Sequence, residues 1–188
     1  MVHPDSEIIR AVWTVWLVTW VVLAFRNKRT VARRGSVRVF VLIAFVALIA
    51  ASGSSRSRVG WHHQYWFVTS TLSVLATSLV VLGAAFAIWA RLTIGTNWSG
   101  TITLKENHEL VVRGPYRLVR HPIYTGLIAM GLGSIIIYAQ PIYFLEFAFG
   151  TVMLVMRIPV EERLMTETFP DQYPQYRQRV KALLPFIW

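Results

Sequence analysis

Apolar residues run almost unbroken from position 8 to position 25, interrupted only by Arg10 near the start and by Thr14 and Thr19. A bilayer core is crossed by about 20 such residues, so this run predicts a transmembrane helix. The pattern recurs at residues 37–51, 65–90, 123–139 and 142–156. Residues 37–51 form a short run that either spans with help from its flanks or packs as a partly buried helix, and it is taken as the second span. Tyr65, Trp66 and Trp89 stand near the ends of the third run, where interfacial aromatics gather. Gln140-Pro141 divides the last two runs, and because proline disfavours helix at the residue before it, they are predicted to form a helical hairpin. The expected fold is all-α, a polytopic transmembrane bundle of about five spans.

The polar segments orient that bundle. Arg26, Lys28, Arg29, Arg33, Arg34 and Arg38 lie between the first two runs, against Arg56 and Arg58 between the second and third. Excess basic residues mark cytoplasmic loops. The amino terminus is then expected outside, with the polar stretches 91–121 and 157–188 together on the cytoplasmic face. Residues 3–7 offer no basic n-region and no small-residue cleavage site follows the first run, so that run is expected to stay in the mature protein.

Composition sharpens this picture. Of 188 residues, 55% are hydrophobic and 15% charged, where soluble domains are about a quarter charged. The chain is expected to be an integral, multi-pass membrane protein. Its formal charge of +10 comes from basic residues set between apolar runs, not gathered on one face or tail. That distribution points to anionic lipid headgroups and away from nucleic acid. The absence of cysteine removes disulfides, thiolate metal sites and thiol nucleophiles, and His62-His63 has no partners for a metal site. No internal repeat appears, so residues 1–188 read as one domain, with residues 1–91 carrying spans one to three and residues 92–188 the chemistry.

The candidate chemistry gathers at Gly114-Pro115-Tyr116-Arg117-Leu118-Val119-Arg120-His121-Pro122-Ile123-Tyr124, where two spare arginines and a histidine meet an apolar run. Pro122 suits the first turn of a helix, whose free N–H groups beside Arg120 would form an anion site. Lipid phosphates would fill such a site as well as a substrate carboxylate. Pro159 is predicted to open another helix, with Glu161 and Glu162 complementing its dipole. Alternatively the hairpin returns Arg157, Glu161 and Glu162 to the face that holds Arg120 and His121, where a carboxylate pairs with Arg120 or receives an ammonium group. Tyr173, Tyr176, Val180 and Leu184 repeat at helical spacing among Arg177, Arg179 and Lys181, the pattern of an interfacial amphipathic helix with packing tyrosines. Asn97-Trp98-Ser99 reads either as a sequon unused on the cytoplasmic face or as a loop closing over a site. No dinucleotide fingerprint, P-loop, zinc helix or nucleophile elbow occurs.

Taken together, Asn97-Trp98-Ser99, Glu109-Leu110-Val111 leading into Gly114-Pro115-Tyr116, Arg120-His121-Pro122 with Tyr124 and Gly126, then Arg157-Ile158-Pro159, Glu161-Glu162, Phe169, Tyr173, Tyr176 and Leu184-Pro185 resemble the isoprenylcysteine carboxyl methyltransferase family. The likeness covers residues 95–185. Pro170 departs from it, standing where the family has glycine. The resemblance implies a membrane-embedded enzyme using S-adenosylmethionine and releasing S-adenosylhomocysteine. It places Leu110, Val111, Val112, Gly114, Tyr116, His121, Pro122, Tyr124, Arg157 and Tyr173 at the cofactor, and Arg120 with Glu161 or Glu162 at the reaction. A lipophilic methyl acceptor would reach the site from the bilayer. A carboxylate acceptor, with a pKa near 4, needs no general base, and Arg120 would orient it by a bidentate contact. An amine, thiol or hydroxyl acceptor would instead draw on Glu161, Glu162 or His121 as base. Two other readings remain at this stage: a sterol-type membrane reductase using NADPH, and a non-enzymatic lipid-binding subunit.

Overall fold

The computed structural model describes residues 5–25, 30–33, 67–98, 103–105 and 109–185. Helix α1 is Asp5–Ala24, opened by acidic residues that favour its amino-terminal dipole. Its exposed Val15, Leu17, Val18, Val21 and Val22 suit a lipid environment, while Ile9 is fully buried against the bundle. Helix α2, Ser70–Ile94, starts later than the apolar run because the Thr69 side chain caps it, accepting from the Leu72 N–H at 3.3 Å. It ends at Gly95, whose φ of 57° is left-handed, and passes into a 3-10 turn, Gly95–Asn97. Helix α3 is Pro122–Tyr138 and helix α4 is Pro141–Thr168. Between them Ala139 adopts a left-handed φ of 52° and its N–H closes on the Ile135 carbonyl at 3.0 Å, which makes the expected hairpin. Helix α5, Tyr173–Arg179, is short.

Helices α1, α2 with its 3-10 extension, and α4 are long and apolar enough to cross a membrane, whereas the 17-residue α3 is shorter. The chain is an α-helical membrane protein. The run at residues 37–51, expected to form a further span, lies outside the described residues, as do Tyr65 and Trp66.

The packing of α2 on α3 fixes the frame. A Cβ on Gly126 would stand 2.5 Å from the Gly83 carbonyl oxygen, and one on Gly133 2.5 Å from that of Ala76. Lipid gives helices no hydrophobic reason to associate, so close approach through small residues takes over that role. Ile9, Ala76, Val80 and Ile137 form one buried cluster toward the α1 amino terminus. A second, of Ala90, Tyr116 and Ile123 with Trp20, Trp98 and Val111 packed on it, underlies the polar end.

Two expectations are corrected, and one small feature is added to the helical bundle. Pro159 does not open a helix; it lies inside α4, which runs unbroken for 28 residues. Such a helix is about 42 Å long, more than a bilayer core of about 30 Å, so its final turns stand clear of the hydrocarbon. Proline inside a spanning helix is tolerated where neighbouring elements re-satisfy the freed backbone. The helix-dipole account of Glu161 and Glu162 therefore falls. Next, α5 stops at Arg179, and Val180 turns extended, so Leu184 is not on its face. Finally, strands β1, Thr30–Arg33, and β2, Thr103–Lys105, pair antiparallel, with Ala32 opposite Leu104. The hydrophobic pattern gave no hint of this ladder.

Candidate active site

The site is assembled where the loop before α3 meets the end of α4 and the carboxy-terminal segment. Gly114 has a left-handed φ of 59°, and a Cβ there would sit 3.2 Å from the Thr93 hydroxyl, so glycine lets the chain turn close over the end of α2. The 3-10 turn Gly114–Arg117 follows and buries Pro115 and Tyr116. From there the backbone is strapped by the chain end. Val119 pairs in parallel with Lys181, the Arg120 N–H donates to the Lys181 carbonyl at 2.8 Å, and the His121 N–H to that of Ala182 at 2.9 Å. Thr125 donates its hydroxyl to the Leu183 carbonyl at 2.8 Å, and Tyr176 donates to the Tyr116 carbonyl at 2.6 Å.

Two carboxylates one residue apart have different surroundings. Glu162, 5% exposed, is a hub: it pairs with Arg120 at 2.6 Å, His121 Nε2 at 3.3 Å and Arg177 at 3.2 Å. Glu161 accepts the Tyr124 hydroxyl at 2.6 Å and Arg157 at 2.8 Å, with His121 Nδ1 at 3.6 Å. The His121 imidazole thus lies between both acids and stacks on the Tyr124 ring at 5.4 Å. Arg120 is held from several sides. Its Nε and Nη2 reach Glu162, and its Nη1 donates to the Arg177 and Val180 carbonyls.

A cavity of about 170 Å³ opens beside these groups. Of the expected site residues, Leu110, Val111, Tyr116, Arg120, His121, Pro122, Tyr124, Glu161 and Tyr173 line it. Val112, Gly114, Arg157 and Glu162 do not: Val112 is exposed, Gly114 packs on Thr93, Arg157 stands behind Glu161, and Glu162 behind Arg120. The wall also contains Asn97, Trp98, Glu109, Leu164, Met165 and Tyr176, outside the expected set. Trp98 and Tyr176 stood in the motif blocks that carried the family resemblance; Leu164 and Met165 had no signal beyond being apolar. Burial, the dominant effect, pushes the Tyr116, Tyr173 and Tyr176 phenols well above their ordinary value. They stay neutral at physiological pH, so the wall offers hydroxyls and ring faces, not phenolates. Among the described residues no His, Asp and Glu cluster has the makings of a metal site.

Residues 74–167 match the isoprenylcysteine carboxyl methyltransferase (ICMT) family. The chain is 30% identical over 127 residues to protein-S-isoprenylcysteine O-methyltransferase B of Arabidopsis thaliana, covering 66% of this chain and 62% of that one. It is 32% identical over 126 residues to the protein-S-isoprenylcysteine O-methyltransferase of Saccharomyces cerevisiae, covering 65% and 53%. The chain therefore spans less than two thirds of the length of these relatives. In fold it is similar to the solved eukaryotic intramembrane Ras methyltransferase ICMT, with a TM-score of 0.55 at 24% identity over 84% of this chain and 55% of that one.

Proposed function

The chain belongs to the isoprenylcysteine carboxyl methyltransferase family, and from that premise we propose that it is an integral-membrane methyltransferase acting with S-adenosylmethionine on a lipophilic acceptor, a prenylcysteine-type carboxylate. The observation that carries the proposal is a cavity in which Arg120, His121 and Glu161 meet a wall of Trp98, Tyr116, Tyr124, Tyr173 and Tyr176 at the end of apolar helices. Ring faces and a nearby carboxylate suit a sulfonium cation, so the lining fits the cofactor. When bound, S-adenosylmethionine supplies an electrophilic methyl group. Leu110, Val111, Tyr116, His121, Pro122, Tyr124 and Tyr173 would hold it, with Gly114 and Arg157 supporting that wall from behind.

Arg120 orients the acceptor. Glu162 fixes its guanidinium through Nε and Nη2, and an acceptor carboxylate would take over Nη1 from the Arg177 and Val180 carbonyls. A carboxylate is ionised at neutral pH, so the protein supplies orientation in place of a base. Glu161 is the acid that faces the cavity, and Glu162 the one that holds the arginine. The pairing of β1 with β2 draws the first polar loop to the stretch that leads into the site. With six basic residues between positions 26 and 38, we assign this shared face to the cytoplasm. Residues 1–188 act as one domain in this reading.

The test is equilibrium binding of S-adenosylhomocysteine and of NADPH to the purified protein, followed by turnover of labelled S-adenosylmethionine with a prenylcysteine analogue. Binding of the first nucleoside alone, and a product whose label is released as methanol by alkali, is the expected result. NADPH binding without S-adenosylhomocysteine binding would replace the reading with a reductase. Label that survives alkali on an amine lipid would keep methyl transfer and reject the carboxylate acceptor.

A further inference from the structure

Arg91 is one of the most buried charged groups among the described residues, at 1% exposure, yet it does not line the cavity. A guanidinium in the last turn of an apolar helix is costly to desolvate, and its retention calls for partners that repay it. Its Nη1 donates to the Gly95 carbonyl at 2.7 Å, an ordinary helix-end contact. Two further contacts are not explained by helix capping. Nη2 donates to the Leu23 carbonyl at 2.8 Å, across 68 positions of chain, at the carboxy-terminal end of α1. The guanidinium carbon also lies 4.4 Å from the centroid of the Trp98 ring.

Trp98 is part of the cavity wall. It also meets Trp20 of α1, edge-on at a centroid distance of 5.9 Å. One buried cation thus joins the end of α1, the turn that closes α2 and an indole that faces the ligand space. Lysine cannot reproduce this arrangement, since a planar fork is needed to stack on the ring while donating in its plane to two carbonyls.

We propose that Arg91 is a positioning residue for the reaction: by stacking on Trp98 and holding the Leu23 carbonyl, it sets the wall against which the cofactor binds, without touching the cofactor. The inference rests on the methyltransferase reading, because that reading is what places the cofactor beside Leu110, Val111 and Trp98. It predicts that the effect of losing Arg91 on cofactor binding passes through Trp98, with the Leu23 and Gly95 carbonyls serving to hold the guanidinium over that ring.

The test uses the full chain in lipid nanodiscs and measures the dissociation constant of S-adenosylhomocysteine, together with KM for S-adenosylmethionine and kcat, for wild type, R91M, R91K, W98L and R91M/W98L. R91M is expected to weaken binding about tenfold, about 1.4 kcal/mol, because the Trp98 wall is no longer held in its binding position, and to raise KM with kcat nearly unchanged. R91K should recover part of this loss. In the W98L background, R91M should add less than about twofold, because residues acting as a unit are not additive. Equal binding by R91M and wild type overturns the proposal, as do effects of R91M and W98L that multiply independently. If R91M fails to fold, R91K alone decides: binding and KM unchanged in R91K also overturns it. Wild-type protein that binds no S-adenosylhomocysteine instead overturns the methyltransferase reading, and the two failures are thereby told apart.

Discussion

Glu161 and Glu162 are adjacent in sequence, but successive helical positions are about 100° apart, so they face different partners. Glu162 is buried beneath Arg120, His121 and Arg177, and removing its charge leaves the buried Arg120 guanidinium uncompensated. Such losses cost about 3–5 kcal/mol. Glu162→Gln is therefore expected to lower the thermal midpoint of the purified protein and to abolish methyl transfer together with it. Glu161, more exposed and facing the cavity, should behave differently. Glu161→Gln should leave the midpoint close to wild type while cutting kcat/KM. A midpoint that falls equally in both variants would show that the two acids share one structural role. The doublet was legible in the sequence as a site feature, but its division was not, because the division depends on which helical face meets the carboxy-terminal strap.

At the level of elements, the hairpin of α3 and α4 was readable from Gln140-Pro141, since proline disfavours helix at the residue before it and suits the first turn of a helix, whereas the left-handed φ of Ala139 has no signal in an alanine. Pro159 misled because the same residue type inside a spanning helix has another outcome. There the neighbours and the packing of Ile158, Glu162 and Leu164 hold the helix together. The α2–α3 contact escaped notice for a different reason: glycine spacing becomes informative only when the facing carbonyl is known. Gly126 faces the Gly83 carbonyl so closely that any Cβ collides with backbone, which cannot swing aside. Gly126→Ala is expected to destabilise the protein by about 1–3 kcal/mol, the usual range for overpacking. It should also shift Pro122 and Ile123, which line the cavity one turn away. The measurement is the thermal midpoint alongside S-adenosylhomocysteine affinity, and both should fall. An unaffected midpoint would mean that α2 and α3 separate without penalty.

Across the whole molecule, the membrane part and the candidate site are stabilised by different forces. The spanning helices satisfy their own backbone groups and present apolar faces to lipid, so their insertion does not depend on the chain end. The site depends on that end. Residues 176–183 supply the carbonyl acceptors for Arg120 Nη1 and for the Arg120 and His121 amides, a partner for the Thr125 hydroxyl, and the hydroxyl that caps the Tyr116 carbonyl. All of these bonds end on a backbone carbonyl, which no residue pattern encodes, and this is why the sequence continued an amphipathic helix past Arg179 where the structure has a strap. Deleting residues 171–188 leaves each of these groups without its partner, at about 1–3 kcal/mol for every one that stays buried. It also removes Tyr173 and Tyr176 from the cavity wall. The truncated chain is expected to remain in the membrane fraction and resist carbonate extraction, while its affinity for S-adenosylhomocysteine falls by more than about a hundredfold, or about 2.7 kcal/mol. Affinity retained within about threefold would limit the strap to shielding the site, since two lost wall residues and one loosened arginine together exceed that margin.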